Sequence, residues 1–134
     1  MRPSIYCDGR VDDQRPVIRE VRTIDLVLES RTESGWGVLA VKGEVDLYTS
    51  PQLKDKVTEI IEQGQSRIVI DLTDVGFMDS SGLGVLVTAL KRARERDGTL
   101  ALVAPEGSVH KVLTITGLDR VFPIHQSVTE ATAS

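Results

Sequence analysis

The run "RIVIDL", Arg67 to Leu72, constrains the fold more than any other stretch, because its centre is apolar at successive positions instead of alternate ones. A strand with one wet face alternates. One that is apolar throughout asks to be covered on both sides, as a parallel strand is inside an α/β sheet. The segments before it read as strands of a different kind. "IDLVLES" sets Ile24, Leu26 and Leu28 against Asp25, Val27 and Glu29, the period of a half-buried strand. "ESGW" is a turn and "WGVLAVKG", Trp36 to Gly43, a second strand, so a hairpin is expected. "TLALVAP" (Thr99 to Pro105) and "RVFPI" (Arg120 to Ile124) complete the strand signals.

Helical patterns fall between them. Thr49 or Ser50 is placed to cap a helix with Pro51 at its first position, where the missing N–H costs nothing. Leu53, Val57, Ile60 and Ile61 share one face, Lys54, Lys56, Glu59 and Glu62 the other, and Gly64 ends it. After the third strand Leu83, Leu86, Val87 and Leu90 recur at i, i+3, i+4 and i+7. That assigns Val85 to the outer side, as a candidate partner contact. The last turns, "KRARERDG", are cationic, as the negative end of a helix dipole prefers. Glu106 to Gly117 reads as a helix with Val109, Val112 and Leu113 inward, and "QSVTEATAS" as a frayed helical tail. The order β-β-α-β-α-β-α-β-α predicts an α/β fold: a mixed four- to five-stranded sheet, right-handed crossovers, and helices packed mainly on one face.

A chain of 134 residues is expected to form one domain, residues 23–134, behind a flexible N-terminal tail, residues 1–22. The tail reading rests on its density of charge, from Arg2 to Arg22, and on Pro3 and Pro16. Hydrophobic residues make up 40% but aromatics only 4%, so the core must be built from Val, Leu, Ile and Ala. The net charge of −4 comes without a Lys/Arg block, which argues against nucleic acid or an acidic membrane as partner. Cys7 is the one cysteine, excluding an intrachain disulfide and an all-cysteine zinc site. "MRPSIYCDGR" lacks the apolar region of a signal peptide and no run approaches the ~18 residues of a membrane span, so a cytoplasmic protein is expected.

Open α/β sheets place ligands where strand ends meet helix starts. Two such points carry suggestive residues: "GEVD", Gly43 to Asp46, and "MDSSGLG", Met78 to Gly84. If the third strand lies beside the second, Asp46 and Asp79 flank Ser80. On its own, "DSSG" reads as a helix N-cap worth about 1 kcal/mol. Only one residue can occupy a cap, however, and Gly82 and Gly84 each cost a helix ~1 kcal/mol. Close packing on the sheet and close approach of a ligand both explain such glycines, and the sequence leaves the two open. Serine catalysis is disfavoured: the nucleophile elbow G-x-S-x-G is absent and only His110 and His125 exist as bases. The acid pair of a phospho-accepting receiver is missing, no residues form a metal constellation, and "GLG" is too short to cradle a phosphate.

At these residues the sequence resembles the STAS-domain family, and within it the bacterial anti-sigma factor antagonists. "VKGEVDLYTSPQL", "IVIDLTDVGFMDSSGLGVLV" and "GTLALVAPEGSVHKVLTITGLDRVFPI" match its elements in order, from about Ile24 to Ile124, with D-S-S-G about thirty residues after G-E-V-D. The resemblance implies a binding protein and not an enzyme, needing no cofactor or metal. Its unphosphorylated form would bind an anti-sigma factor that is also a serine kinase, and so release a sigma factor. Phosphorylation of Ser80 would switch it off and a serine phosphatase would reverse the change. The implied contact residues are Asp46, Asp79, Ser80, Ser81, Gly82 and Val85, with Ser81 serving the helix's first turn, on a chain expected to be monomeric when free. The alternative is a STAS scaffold or transport-assembly subunit that controls no sigma factor.

Overall fold

A computed structural model describes residues 26–133. The expected tail, with Cys7, and Ile24 of the first strand lie outside the described residues. The elements are β1 (Val27–Glu33), β2 (Trp36–Val45), α1 (Ser50–Glu62), β3 (Arg67–Met78), α2 (Ser80–Glu95), β4 (Thr99–Val103), α3 (Ser108–Ile115), a 3-10 turn (Leu118–Arg120), β5 (Ile124–His125) and α4 (Val128–Thr132). They form one five-stranded sheet in the order β1-β2-β3-β4-β5, antiparallel between β1 and β2 and parallel thereafter. The expected mixed sheet is the one observed. Ser34 and Gly35 close the hairpin with φ of 52° and 84°, the left-handed pair that matches the twist of the flanking strands.

The continuous apolar run of β3 is explained by two layers of cover. Ile68, Ile70 and Leu72 pack beneath Leu53, Val57, Ile60 and Ile61 of α1, Leu86 and Leu90 of α2, and Val109 and Leu113 of α3. On the opposite face Val69 joins Trp36, Val38, Ala101 and Val103, and α4 covers them with Ala131 and Val128. The Arg67 guanidinium sits 4.6 Å from the Trp36 ring centroid at the foot of this second layer.

Three expectations are corrected. The C-terminal segment is not frayed: Ser127 accepts the Glu130 N–H at 3.1 Å, Glu130 accepts the Gln126 N–H at 2.8 Å, and Ala131 is fully buried. A reciprocal cap and an apolar face in need of cover hold this single turn and a half in place. The last strand begins later than "RVFPI" suggests. Leu118–Arg120 coil as a 3-10 turn, and Pro123, having no N–H to give, offers only its carbonyl to Leu102 N–H at 2.9 Å. Finally, β3 does not stop at Leu72 but runs to Met78.

That extension carries two extra residues. Between the pairs Ala40↔Asp71 and Lys42↔Asp74, and again between Gly43↔Val75 and Glu44↔Phe77, β3 has one residue more than β2. Each bulge flips the inside–outside alternation, so Leu72, Val75 and Met78 are all buried at spacings of three while Phe77 is turned out. Side chains hold both irregularities. Asp71 accepts the Thr73 N–H at 3.0 Å and the Thr73 hydroxyl, and Ser108 donates its hydroxyl to the Gly76 carbonyl at 3.0 Å.

If α4 seals the second layer, Ala131→Asp should destabilise the fold by at least about 2 kcal/mol, because it buries a carboxylate against Val69 and Val103. Urea denaturation monitored at Trp36, in the same layer, reads the loss directly. A stability within a few tenths of the parent would mean α4 is dispensable.

Candidate functional site

The parallel pairing of β2 and β3 brings two strand ends side by side. Val45 pairs with Met78, and the Asp79 N–H donates to the Val45 carbonyl at 3.1 Å. Each strand then leaves the sheet through a turn organised by an aspartate. After β2, Asp46 Oδ1 accepts the N–H groups of Tyr48 at 2.9 Å and Thr49 at 3.0 Å, while the Asp46 carbonyl accepts the Ser50 N–H at 2.8 Å. The Thr49 hydroxyl donates back to the Glu44 carbonyl at 2.7 Å and accepts the Asp46 N–H at 2.9 Å. Neither Thr49 nor Ser50 therefore caps α1 with its side chain, as the sequence suggested. The Thr49 hydroxyl is engaged within the turn, and the first N–H groups of α1 go to main-chain carbonyls, Gln52 to Thr49 at 2.9 Å among them. Leu47 and Tyr48 are left at the tip of this turn, 67% and 84% exposed.

After β3, Asp79 is the N-cap of α2, and neither serine is. Its Oδ1 accepts the Ser81 N–H at 2.9 Å, the Gly82 N–H at 3.3 Å and the Ser81 hydroxyl. The Ser81 hydroxyl holds the Asp79 carboxyl below its ordinary value, with the N–H groups of Gly82 and Ser81 adding to it against partial desolvation. Asp79 is thus ionised at neutral pH, at the helix end that favours a negative charge.

The two serines are physically different. Ser81 is half-buried and tethered to Asp79. Ser80, the first residue of α2, is exposed, and its hydroxyl makes no hydrogen bond among the described residues. The glycines differ as well. A Cβ on Gly82 would stand 2.6 Å from Val45 Cγ1 and 2.8 Å from Met78 Cγ, so close packing on the sheet accounts for this one. Gly84 faces solvent, and a Cβ there would meet nothing within 4 Å.

Val85 does not point outward as expected. It is half-buried against the core, in the seam where α2 meets Lys54, Val57 and Ile61 of α1. The outward residue is Val87, 40% exposed. The buried stripe of α2 is Gly82, Leu86, Ala89, Leu90 and Ala93. Small residues therefore define the contact line, and a stripe drawn through the large side chains alone is rotated off it. Leu47 and Tyr48, two large side chains directly after a turn-forming aspartate, carry no periodicity, and their position in the turn is the only signal in the sequence that marks them. Among the described residues no three His, Cys, Asp or Glu side chains gather to hold a metal, and no helix is long and apolar enough to cross a membrane.

Replacing Asp79 by Ala should cost about 1 kcal/mol at neutral pH, the usual worth of a capping side chain. Because the folded-state value is depressed, this contribution is present above the carboxyl's ordinary value of 3.8 and is lost as pH falls through the lowered one. Paired denaturation curves from neutral to about pH 3 should show the two proteins converge; a constant gap would assign the loss to something other than the carboxylate.

Comparison with known proteins identifies the family and the fold. The sequence matches the STAS domain family over residues 27–131. It is 30% identical over 103 residues to the anti-sigma-B factor antagonist of Staphylococcus aureus, covering 77% of this chain and 95% of that one. The crystal structure of an anti-sigma factor antagonist from Mycobacterium paratuberculosis superposes with a TM-score of 0.75 at 27% identity, over 81% of this chain and 92% of the other. The Bacillus cell fate determinant SpoIIAA in its phosphorylated form superposes with a TM-score of 0.62 at 26% identity, over 81% and 96%. A central strand that ends in an aspartate-capped helix start is thus carried on a shared sheet, and the chain belongs to the STAS domain family.

Proposed function

We propose that this chain is an anti-sigma factor antagonist whose unmodified form binds an anti-sigma factor and so frees a sigma factor. That partner, acting as an ATP-dependent serine kinase, phosphorylates Ser80 and thereby ends the complex. A serine phosphatase restores the binding form. The observation that carries the reading is the contrast between the two serines: Ser80 is exposed with an unengaged hydroxyl, whereas Ser81 is held by Asp79. The names of the relatives support the sigma-factor role, and the phosphorylated form of SpoIIAA supports a phosphoryl switch on this fold. The contact surface is centred on Ser80 and includes Asp46, Asp79, Ser81 and Gly82, with Val85 contributing from the seam beside it. The chain supplies an acceptor and no catalytic group, works in the cytoplasm where ATP is found, and is monomeric when free.

In the transfer, Ser80 Oγ bonds to the γ-phosphorus of ATP, the bond from that phosphorus to the β-phosphate bridging oxygen breaks, and the hydroxyl proton passes to a base on the partner. The product carries about −1.5 to −2 charges. The helix start favours them by ~0.3–1 kcal/mol. The ionised Asp79 opposes them by a few kcal/mol if the groups lie ~6 Å apart at an effective dielectric of about 20. In the free protein water screens this repulsion. Under a closed interface it does not, and losing ~3 kcal/mol weakens binding on the order of a hundredfold.

The partner is to be recovered with the unmodified chain from the cells that encode it, identified by mass spectrometry, and purified. Ser80→Ala should still bind that anti-sigma factor but accept no phosphate from ATP; stoichiometric labelling of this variant would move the site to Ser81. Ser80→Asp should raise the dissociation constant at least tenfold by titration calorimetry, and an unchanged value would overturn the electrostatic account.

A further inference from the structure

The start of α2 contains two glycines two residues apart, and the fold accounts for one of them. Gly82 has no room for a side chain. Gly84 has the room, lies on the solvent side, and is not among the glycines with left-handed backbone. An exposed glycine inside a helix weakens it relative to alanine, since it frees the unfolded chain and covers nothing. A residue that costs stability with no return in packing asks for another explanation.

Its position supplies one. Gly84 lies four residues after Ser80, one turn along the same exposed line of the helix and about 6 Å further on. Val87, exposed, continues that line, and the neighbouring strand end presents Leu47 and Tyr48. Any protein that delivers a phosphoryl group to Ser80 must come within bonding distance of its hydroxyl, so its surface necessarily lies over the first turns of α2. A bare stretch of helix backbone is what lets another chain seat there closely.

We propose that Gly84 is kept without a side chain so that the protein partner of Ser80 packs directly on the α2 backbone, with Leu47, Tyr48 and Val87 as the apolar border of the contact. The inference rests on the reading of Ser80 given above, and its occupant is the same anti-sigma factor. A second copy of this chain or a small ligand has no need to cover Ser80 and Gly84 together.

The test separates stability from binding. Gly84→Ala should raise the melting temperature by about 2–6 °C. It should also weaken binding to the purified anti-sigma factor at least tenfold and slow Ser80 phosphorylation in parallel. Tyr48→Ala should leave the melting temperature unchanged and weaken binding at least fivefold, while Ile115→Ala, at an exposed apolar residue of α3, should change neither. Wild-type affinity in Gly84→Ala overturns the proposal, as does a lowered melting temperature, which would make the glycine a requirement of the fold. Failure of the underlying reading looks different: the wild-type chain itself would neither bind the anti-sigma factor nor be labelled.

Discussion

The hydrogen bond from the Asp79 N–H to the Val45 carbonyl joins the last residue of one parallel strand pair to the first residue of the site, and the rest of the arrangement follows from it. Because β2 and β3 run in the same direction, their C-terminal ends reach the same edge, and the helices that follow start side by side. The two bulges of β3 make this possible at the level of side chains. With one bulge, the alternation would turn Met78 toward solvent and lift the start of α2 away from the sheet. With two, Met78 returns to the core beside Val45, and both come close enough to Gly82 to exclude a Cβ. Position and packing at the serine are therefore set several residues earlier, where Asp71 and Ser108 hold the extra residues of β3.

Much of this was legible in the chain. Element order, the mixed sheet and the shared edge of "GEVD" and "MDSSGLG" follow from periodicity and from the parallel strand that "RIVIDL" requires. What was not legible depends on partners that a local pattern does not contain. The extent of β3 was hidden because bulges break the alternation by which strands are recognised. The role of α4 was hidden because five residues show no helical period, and its stability comes from Val69, Ala101 and Val103, which are distant in sequence. The facing of Val85 and Val87 is not legible from the large residues alone because Gly82, Ala89 and Ala93 share the buried stripe with Leu86 and Leu90. A side-chain cap of α1 by Thr49 or Ser50 fails because the Thr49 hydroxyl is drawn into the preceding turn by Glu44 and Asp46, and main-chain carbonyls take the first N–H groups of the helix.

The two serines show how a local hydrogen-bond pattern sorts chemically identical groups. Sequence spacing offers two adjacent hydroxyls after an acid. The helix start then places the second one over the Asp79 carboxylate and the first one outside it. A hydroxyl already donating to a carboxylate would have to lose that bond before another group could take its proton, and the carboxylate would lose part of what keeps it ionised. The free hydroxyl has no such cost. The difference in availability between the Ser80 and Ser81 hydroxyls is thus a property of the fold itself.

The same carboxylate also bears on whether a phosphate would reorganise the protein. Helix starts attract phosphate because their first N–H groups lack acceptors. Here those acceptors are already in place: Asp79 Oδ1 takes the N–H groups of Ser81 and Gly82, and the Asp79 carbonyl takes that of Leu83 at 3.1 Å. A phosphate on Ser80 would have to displace an ionised carboxylate from its own turn in order to bind the helix end. Like charges and the existing bonds both oppose that exchange. The phosphate is better satisfied by water, so the helix start stays as it is and the added charge remains on the surface. On the function proposed above, the consequence would fall on a partner that must exclude that water, and the phosphate would act on association and not on conformation.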